Sequence, residues 1–445
     1  MRMMCFLNTA KKYLLIIIVV INTLIITFYN YFPLKIAHSI LKIPHIIAIL
    51  LACGIVYKLQ NKKYKINDFA KKILFLLILL ATIYISVSFV RWMLYGFDFA
   101  RFSLYLAMSV LFGSIMFFSV DSEILSYKYH KRDIIFIITF LNILQLMISS
   151  VTFGGIRASY LLENIMVYNC VVIAFLPQLF IILYKSESQK DNIFSIINII
   201  ITVIFVTLSG SRSAVFVIWV IFFMSVIALI TLRRRTAWFH CMAMILIIPA
   251  TIAVLYHINI LGARSALDRS FFFHISETNV GRQEVNLPTQ QNSELTEVSR
   301  GIMESDNMRK ELWQNAIKEI KKEPVIGTGI TYFDNHFGSI VLQQSAHNVI
   351  LEIWLVFGGL GFAVYLFLMI MIIVYLLVHF LKFKHRAIFM LHLLSIVSIL
   401  ILALVQPLMV MFYPSTIYWL LVSWAYKYTI QRKLKKRGLY EKCIS

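Results

Sequence analysis

The stretch HNVILEIWLVFGGLG, residues 347–361, runs on as apolar sequence to Phe380, and its reading decides the fold. A straight helix from Val349 to Phe380 would reach on the order of 48 Å, against about 30 Å of bilayer hydrocarbon. The run is therefore too long for one upright span. The pair Gly358-Gly359 is the natural break. The expectation is a short helix from His347 to Phe357 at the membrane surface, then a spanning helix from about Leu360. His347 then sits at the start of the short helix, where water meets membrane.

The rest of the chain agrees with a membrane reading. Of its 445 residues, 60% are hydrophobic, and the mean hydropathy is +0.81, well above that of soluble domains. Long apolar windows recur throughout, which predicts an all-α polytopic membrane protein. Closed β-barrels are excluded, since their strands are short and alternate with polar residues. The first apolar segment, Tyr13 to Tyr31, follows Arg2, Lys11 and Lys12 and has no small-residue cleavage site behind it, so it reads as an uncleaved span. Cys5, Cys53, Cys170, Cys241 and Cys443 show neither CxxC nor metal-ligand spacing, so no disulfide and no metal site is indicated.

Twelve spans are expected, near residues 13–31, 40–57, 73–95, 102–120, 134–153, 165–184, 193–209, 213–231, 237–256, 348–381 (broken), 387–405 and 412–429. The loops then sort by charge. One set holds Lys58, Lys62, Lys63, Lys65, Lys71 and Lys72; Lys128, Lys131 and Arg132; Arg233, Arg234 and Arg235; and Lys382, Lys384 and Arg386. Both termini fall in that set, including the tail with Arg432, Lys433, Lys435, Lys436 and Arg437. Opposite short loops hold only Lys35, Lys42, Arg91, Arg101, Arg157 and Arg212. Basic loops stay cytoplasmic, so both termini are expected in the cytoplasm. The net charge of +21 is then explained by lipid headgroups rather than nucleic acid.

Three regions follow. Residues 1–256 hold the first nine spans. Residues 257–347 form a large outward loop with an amphipathic helix near 307–323, and residues 348–445 hold the surface helix, the last three spans and the basic tail. In the loop, Glu277 to Ser305 is polar and mixed in charge, which predicts mobility. Met308, Leu312, Trp313, Ala316, Ile317 and Ile320 share one helical face; Pro324 ends that helix, and Gly327 and Gly329 mark a turn. No internal repeat is visible, which speaks against many transporter folds.

Few residues are suited to chemistry. There is no phosphate-binding GxxxxGKS loop, no GxGxxG, no HExxH and no GxSxG. Arg212 lies in the tight turn Ser209-Gly210-Ser211-Arg212-Ser213. It reads either as an interfacial arginine or as an anion ligand, with Ser211 and the following helix N-terminus in support. Arg309 opens the amphipathic helix; alone it reads as a surface charge, as do Arg264 and Arg269. His347 reads as part of a helix cap with Asn348 or as a general base. Glu352 is either an orienting partner for polar neighbours or an interfacial carboxylate facing water.

Together these pieces resemble the bacterial O-antigen polymerase and O-antigen ligase family of membrane glycosyltransferases. The matching motifs are the turn at 209–213, Arg309-x-x-x-Trp313 running to Pro324 and Gly327-x-Gly329, and His347-Asn348 followed by Gly358-x-x-Gly361. The resemblance covers roughly residues 195–380. It implies a glycan donor carried on undecaprenyl pyrophosphate and a glycan acceptor at the outer leaflet of the inner (cytoplasmic) membrane. It further implies pyrophosphate binding by Arg212 and Arg309, an essential His347, and metal-independent transfer without a cofactor. It leaves open a chain-length regulator as a partner. The expected activity is polymerisation of repeat units into O-antigen, with transfer of glycan to lipid A-core as the runner-up. A flippase or transporter is the alternative of a different class; it predicts more ionisable residues at mid-membrane than the spans contain.

Overall fold

A computed structural model describes residues 68–95, 127–151, 165–185, 188–231, 235–259, 267, 309–328, 347–382, 386–405, 408 and 412–436. Ten helices are found among them: α1 (Asp68–Tyr95), α2 (Tyr127–Val151), α3 (Ile165–Lys185), α4 (Gln189–Thr207), α5 (Arg212–Thr231), α6 (Arg235–Ile258), α7 (309–322), α8 (Val349–Lys382), α9 (Arg386–Ala403) and α10 (Phe412–Lys436). The described residues form an all-α bundle, as expected. Each of the nine expected spans that falls on them is a helix. The expected spans 13–31, 40–57 and 102–120, the segment Glu277 to Ser305, Met308, Gly329 and the end of the basic tail lie outside the described residues.

Among the described residues six helices are long and apolar enough to cross a bilayer: Asp68–Val90, Met166–Lys185, Gln189–Thr207, Arg212–Thr231, Phe239–Ile258 and Val349–His379. Ala387–Ala403 is apolar but shorter. The helices α2 and α10 stand where spans are expected but are not among those six. The centre of the bundle is α3, whose residues from Met166 to Ile182 are almost wholly buried. It packs against α2, α4, α5, α9 and α10. A helix apolar on every side must be enclosed, and this one is. Its few polar groups bridge to neighbours: Gln178 Nε2 donates to Ser395 Oγ of α9 (2.8 Å), and Tyr168 Oη donates to Asn142 Oδ1 of α2 (2.7 Å). Such bonds between apolar helices contribute roughly 0.6 kcal/mol each.

Four contacts fix how the helices run. Phe69, at the start of α1, stacks on Tyr375 near the end of α8, with ring centroids 3.7 Å apart, and lies 5.2 Å from Tyr426 near the end of α10. Lys185, closing α3, sits 4.7 Å over the Tyr428 ring of α10. Arg132 of α2 approaches Asp191 in the first turn of α4 at 3.7 Å. One end of the bundle therefore gathers Lys71, Lys72, Arg132, Lys185, Lys382 and Arg386. Of these, Lys71, Lys72, Arg132, Lys382 and Arg386 come from the loops that the charge pattern grouped together; Lys185 was in neither set.

The long apolar run breaks where expected. Gly358 has φ 69° and ψ 179°, a conformation open to glycine, and splits α8 into 349–357 and 359–382. In an unbroken helix Gly359 N–H would donate to Leu355 C=O. Here Gly359 N–H donates to Pro324 C=O (2.9 Å), and Leu355 C=O accepts from Thr328 N–H (2.7 Å) and Thr328 Oγ1 (2.9 Å). Pro324 C=O also accepts from Trp354 Nε1 (2.9 Å). The turn after α7 thus closes directly on the break, backbone against backbone. A Cβ on Gly358 would collide with Val325 C=O and reach within 2.6 Å of Ile326 C=O; one on Gly327 would collide with Gly358 N. The two glycine motifs, far apart in sequence, form a single joint.

The amphipathic helix forms with one correction. Leu312, Ala316 and Ile320 are buried one turn apart, and Ile320 packs on Leu355, Leu351 and Trp354. Ile317, expected on the same face, is 42% exposed. The buried stripe follows the i, i+4, i+8 row alone, which is narrower than the face drawn from the sequence.

The joint should be sensitive to single atoms. Gly358→Ala adds both a collision and a left-handed alanine, a destabilisation of about 2–3 kcal/mol. Thr328→Val removes one hydrogen bond, worth about 1 kcal/mol. Tryptic cleavage after Lys321 and Lys322 should accelerate strongly in Gly358→Ala, modestly in Thr328→Val and not in Thr328→Ser. Equal rates in all of them would show that the joint does not hold the turn.

Candidate functional site

The end of the bundle opposite the basic one carries the sequence-predicted residues of the helical core. It contains the start of α3, the end of α4, the start of α5 and the start of α8. The turn between α4 and α5 is built tightly. Leu208 N–H donates to Ile204 C=O (2.9 Å), and Gly210 takes φ 69°. Ser209 Oγ donates to Val206 C=O (2.7 Å) and accepts from Ser211 N–H (3.3 Å) and from Asn169 Nδ2 of α3 (3.1 Å). Ser211 precedes α5, its C=O accepting from Val215 N–H (2.9 Å), while its hydroxyl points to Met166 Sδ of α3 (2.8 Å).

The Ser211 N–H is thus directed to Ser209, and its hydroxyl to Met166. Arg212 is the first residue of α5 and is half-buried. It stands at the positive end of the helix dipole, where an anion is favoured. Two further α3 residues hold this turn in place, Asn169 and Met166. Asn169 is fully buried, and its Oδ1 has no hydrogen-bond partner among the described residues. Sequence reading missed it: a lone asparagine near a span terminus carries no signal until the turn beside it is seen.

Asn348 caps the short helix: its Oδ1 accepts from Ile350 N–H (2.9 Å) and Leu351 N–H (3.2 Å). His347 lies just outside, at φ 49°. Histidine adopts that left-handed backbone at a cost of about 1–2 kcal/mol, so its surroundings hold it there. The helix begins at Val349, not at His347 as expected from the sequence.

Glu352 settles between its two readings. It is 1% exposed, so it does not face water. A carboxylate so enclosed is retained where polar groups meet it. It lies on α8 between the cap and the joint, beside Ile353 and Val356 of the main core.

Arg309 is the first residue of α7 and is partly exposed. Its helix is tied at the far end to the joint that also terminates the short helix of His347 and Glu352. Arg309 and His347 thus stand at the outer ends of two helices that meet at the joint, and Arg212 opens α5, which packs on α9. Thr328 and Trp354, which close the joint, were not singled out by sequence; neither residue type carries a signal at those positions without the fold.

No curated protein matches the chain. A family model described as O-antigen ligase matches residues 197–366, a segment that contains Arg212, Arg309, His347, Glu352 and both halves of the glycine joint. The match falls on the segment whose motifs resemble the O-antigen polymerase and ligase family.

Proposed function

We propose that the protein is an O-antigen, or surface polysaccharide, polymerase. It joins undecaprenyl-pyrophosphate-linked repeat units at the periplasmic face of the bacterial inner membrane. The reading includes twelve spans, cytoplasmic termini and a periplasmic segment 257–347. The observation that supports it is that the Ser209–Arg212 turn, Arg309 and the His347–Asn348 cap all fall inside one family-matched segment.

The chemistry follows from the residue types. A sugar pyrophosphate is already activated, so no nucleotide is needed. The acceptor hydroxyl attacks the anomeric carbon as the bond from that carbon to the diphosphate oxygen breaks, with inversion. His347 takes the hydroxyl proton. Arg212 and Arg309 take the charge that develops on the departing diphosphate, and a planar guanidinium suits two oxygens at once. Ser211 supports the turn that aims Arg212. Asn348 and Glu352 support His347 from the helix behind it. This scheme requires neither metal nor cofactor.

A second reading has an observation of its own, since the matched family model is described as O-antigen ligase. A ligase would use the same donor but transfer finished glycan to lipid A-core. Gene disruption separates the two: loss of a polymerase leaves lipopolysaccharide capped with one repeat unit, whereas loss of a ligase leaves bare core and polymer on the carrier lipid. A flippase draws no support from the family match.

Purified protein given defined lipid-linked repeat units should yield a ladder of longer products. His347→Ala should reduce their rate by about a hundredfold or more, with the protein still monodisperse in detergent. A transporter would tolerate that change. Arg212→Lys keeps the charge but loses the fork, and should slow transfer on the order of tenfold, about 1.4 kcal/mol, with membrane insertion intact. An unchanged ladder would remove the altered residue from the site.

A further inference from the structure

The turn that closes on Gly358 exposes two branched apolar side chains, Val325 (56%) and Ile326 (52%). Its depth can be read from α1. Lys72 and Arg91 are nineteen residues apart, about 28 Å of helix, close to the roughly 30 Å of hydrocarbon. Tyr84 lies between them, seven residues, about 10 Å, short of Arg91. Its ring is 5.1 Å from that of Phe357, and Gly361 packs against Ile83. The Gly358 joint therefore sits at the level of Tyr84, inside the apolar layer. Val325 Cα lies against Gly359, next to Leu360, which is 62% exposed and begins the outward stripe continued by Phe367 (58%) and Ile370 (49%).

The backbone of this turn suits an apolar medium. Pro324 has no N–H, and its carbonyl accepts twice. Gly327 N–H reaches Glu323 C=O (3.4 Å), and Thr328 donates with both N–H and hydroxyl. Non-helical backbone at membrane depth is tolerated where it packs on protein, and here the backbone of Val325 and Ile326 lies against Gly358. Just before the turn, Lys318 and Lys321 are exposed on the same flank of α7 as the exposed Ile317, one and two helical turns before Val325. Apolar side chains below a row of lysines match an anionic phospholipid surface. Trp354 adds an indole at the same rim, stacked on Phe362 at 5.0 Å.

We propose that Val325 and Ile326 form an apolar tip inserted into the hydrocarbon edge of the bilayer, with Lys318 and Lys321 on anionic headgroups above it. The tip and the joint then anchor α7 to the membrane. This inference does not require the glycan reading. Where both hold, Arg309 rides on a helix docked at the leaflet that presents a lipid-linked diphosphate.

The test labels cysteines introduced as Val325→Cys and Ile326→Cys, in a chain whose five native cysteines are replaced, with an environment-sensitive dye. The protein is placed in nanodiscs of mixed phosphatidylglycerol and phosphatidylcholine, with Lys310→Cys as the water-facing control. The tip labels should emit to the blue of the control and be quenched severalfold more by nitroxide on lipid chains than by iodide. Stronger quenching by iodide overturns the proposal, as does shielding from both quenchers, which would mean that protein covers the tip. If the labelled variants do not fold, the unaltered chain is irradiated with a photoreactive phosphatidylglycerol. Adducts should appear on the peptide containing Val325 and Ile326, and severalfold fewer should form on the Lys318–Lys321 segment when the probe is phosphatidylcholine. Adducts on 366–378 but none at the tip would overturn the insertion; equal yields from both lipids would remove the lysines from the contact.

Discussion

At Gly358 a helix gives up one of its own hydrogen bonds and hands both groups to another part of the chain. Leu355 C=O turns to Thr328, and Gly359 N–H turns to Pro324. Within an apolar layer neither group could be left unpaired without a penalty of several kcal/mol. The break in α8 and the turn after α7 therefore depend on each other. Neither glycine accepts a side chain, because each leaves the space that the other backbone fills. The joint fixes where α7 ends, and it fixes the angle at which the short helix of His347 and Glu352 leaves the span.

The other half of the candidate site is held differently. The turn before Arg212 hangs on Ser209, whose hydroxyl gathers Val206, Ser211 and Asn169 around itself. Asn169 belongs to α3, the enclosed axis of the bundle. Arg212 is thus referenced to the core, while Arg309 is referenced to the joint. A site assembled from these two supports has one wall rigid with the bundle and one wall carried by a segment that lies outside the spans.

Much of this was legible in the chain. The break at Gly358 followed from length alone, because too many apolar residues followed Asn348 for one span. The sorting of charged loops followed from the positive-inside bias, and the helices carry it through. What could not be read was pairing between distant segments. Gly327 and Gly358 each look like ordinary punctuation, and nothing in either motif names its partner. Thr328, Trp354 and Asn169 act through partners that only the fold supplies. His347 illustrates the opposite case: its place beside a helix start was legible, but its left-handed backbone was not. Burial of Glu352 likewise depended on packing that periodicity could not resolve in a run apolar on all sides.

The central claim is that Arg212, Arg309 and His347 face one substrate at one end of the bundle. It is tested most directly by an electron cryomicroscopy map of the protein in nanodiscs with a non-hydrolysable lipid-linked diphosphate sugar. The account predicts diphosphate density between the Arg212 and Arg309 guanidinium groups, with the anomeric carbon turned toward His347. Density at the basic end of the bundle, or a diphosphate that touches neither arginine, would contradict it.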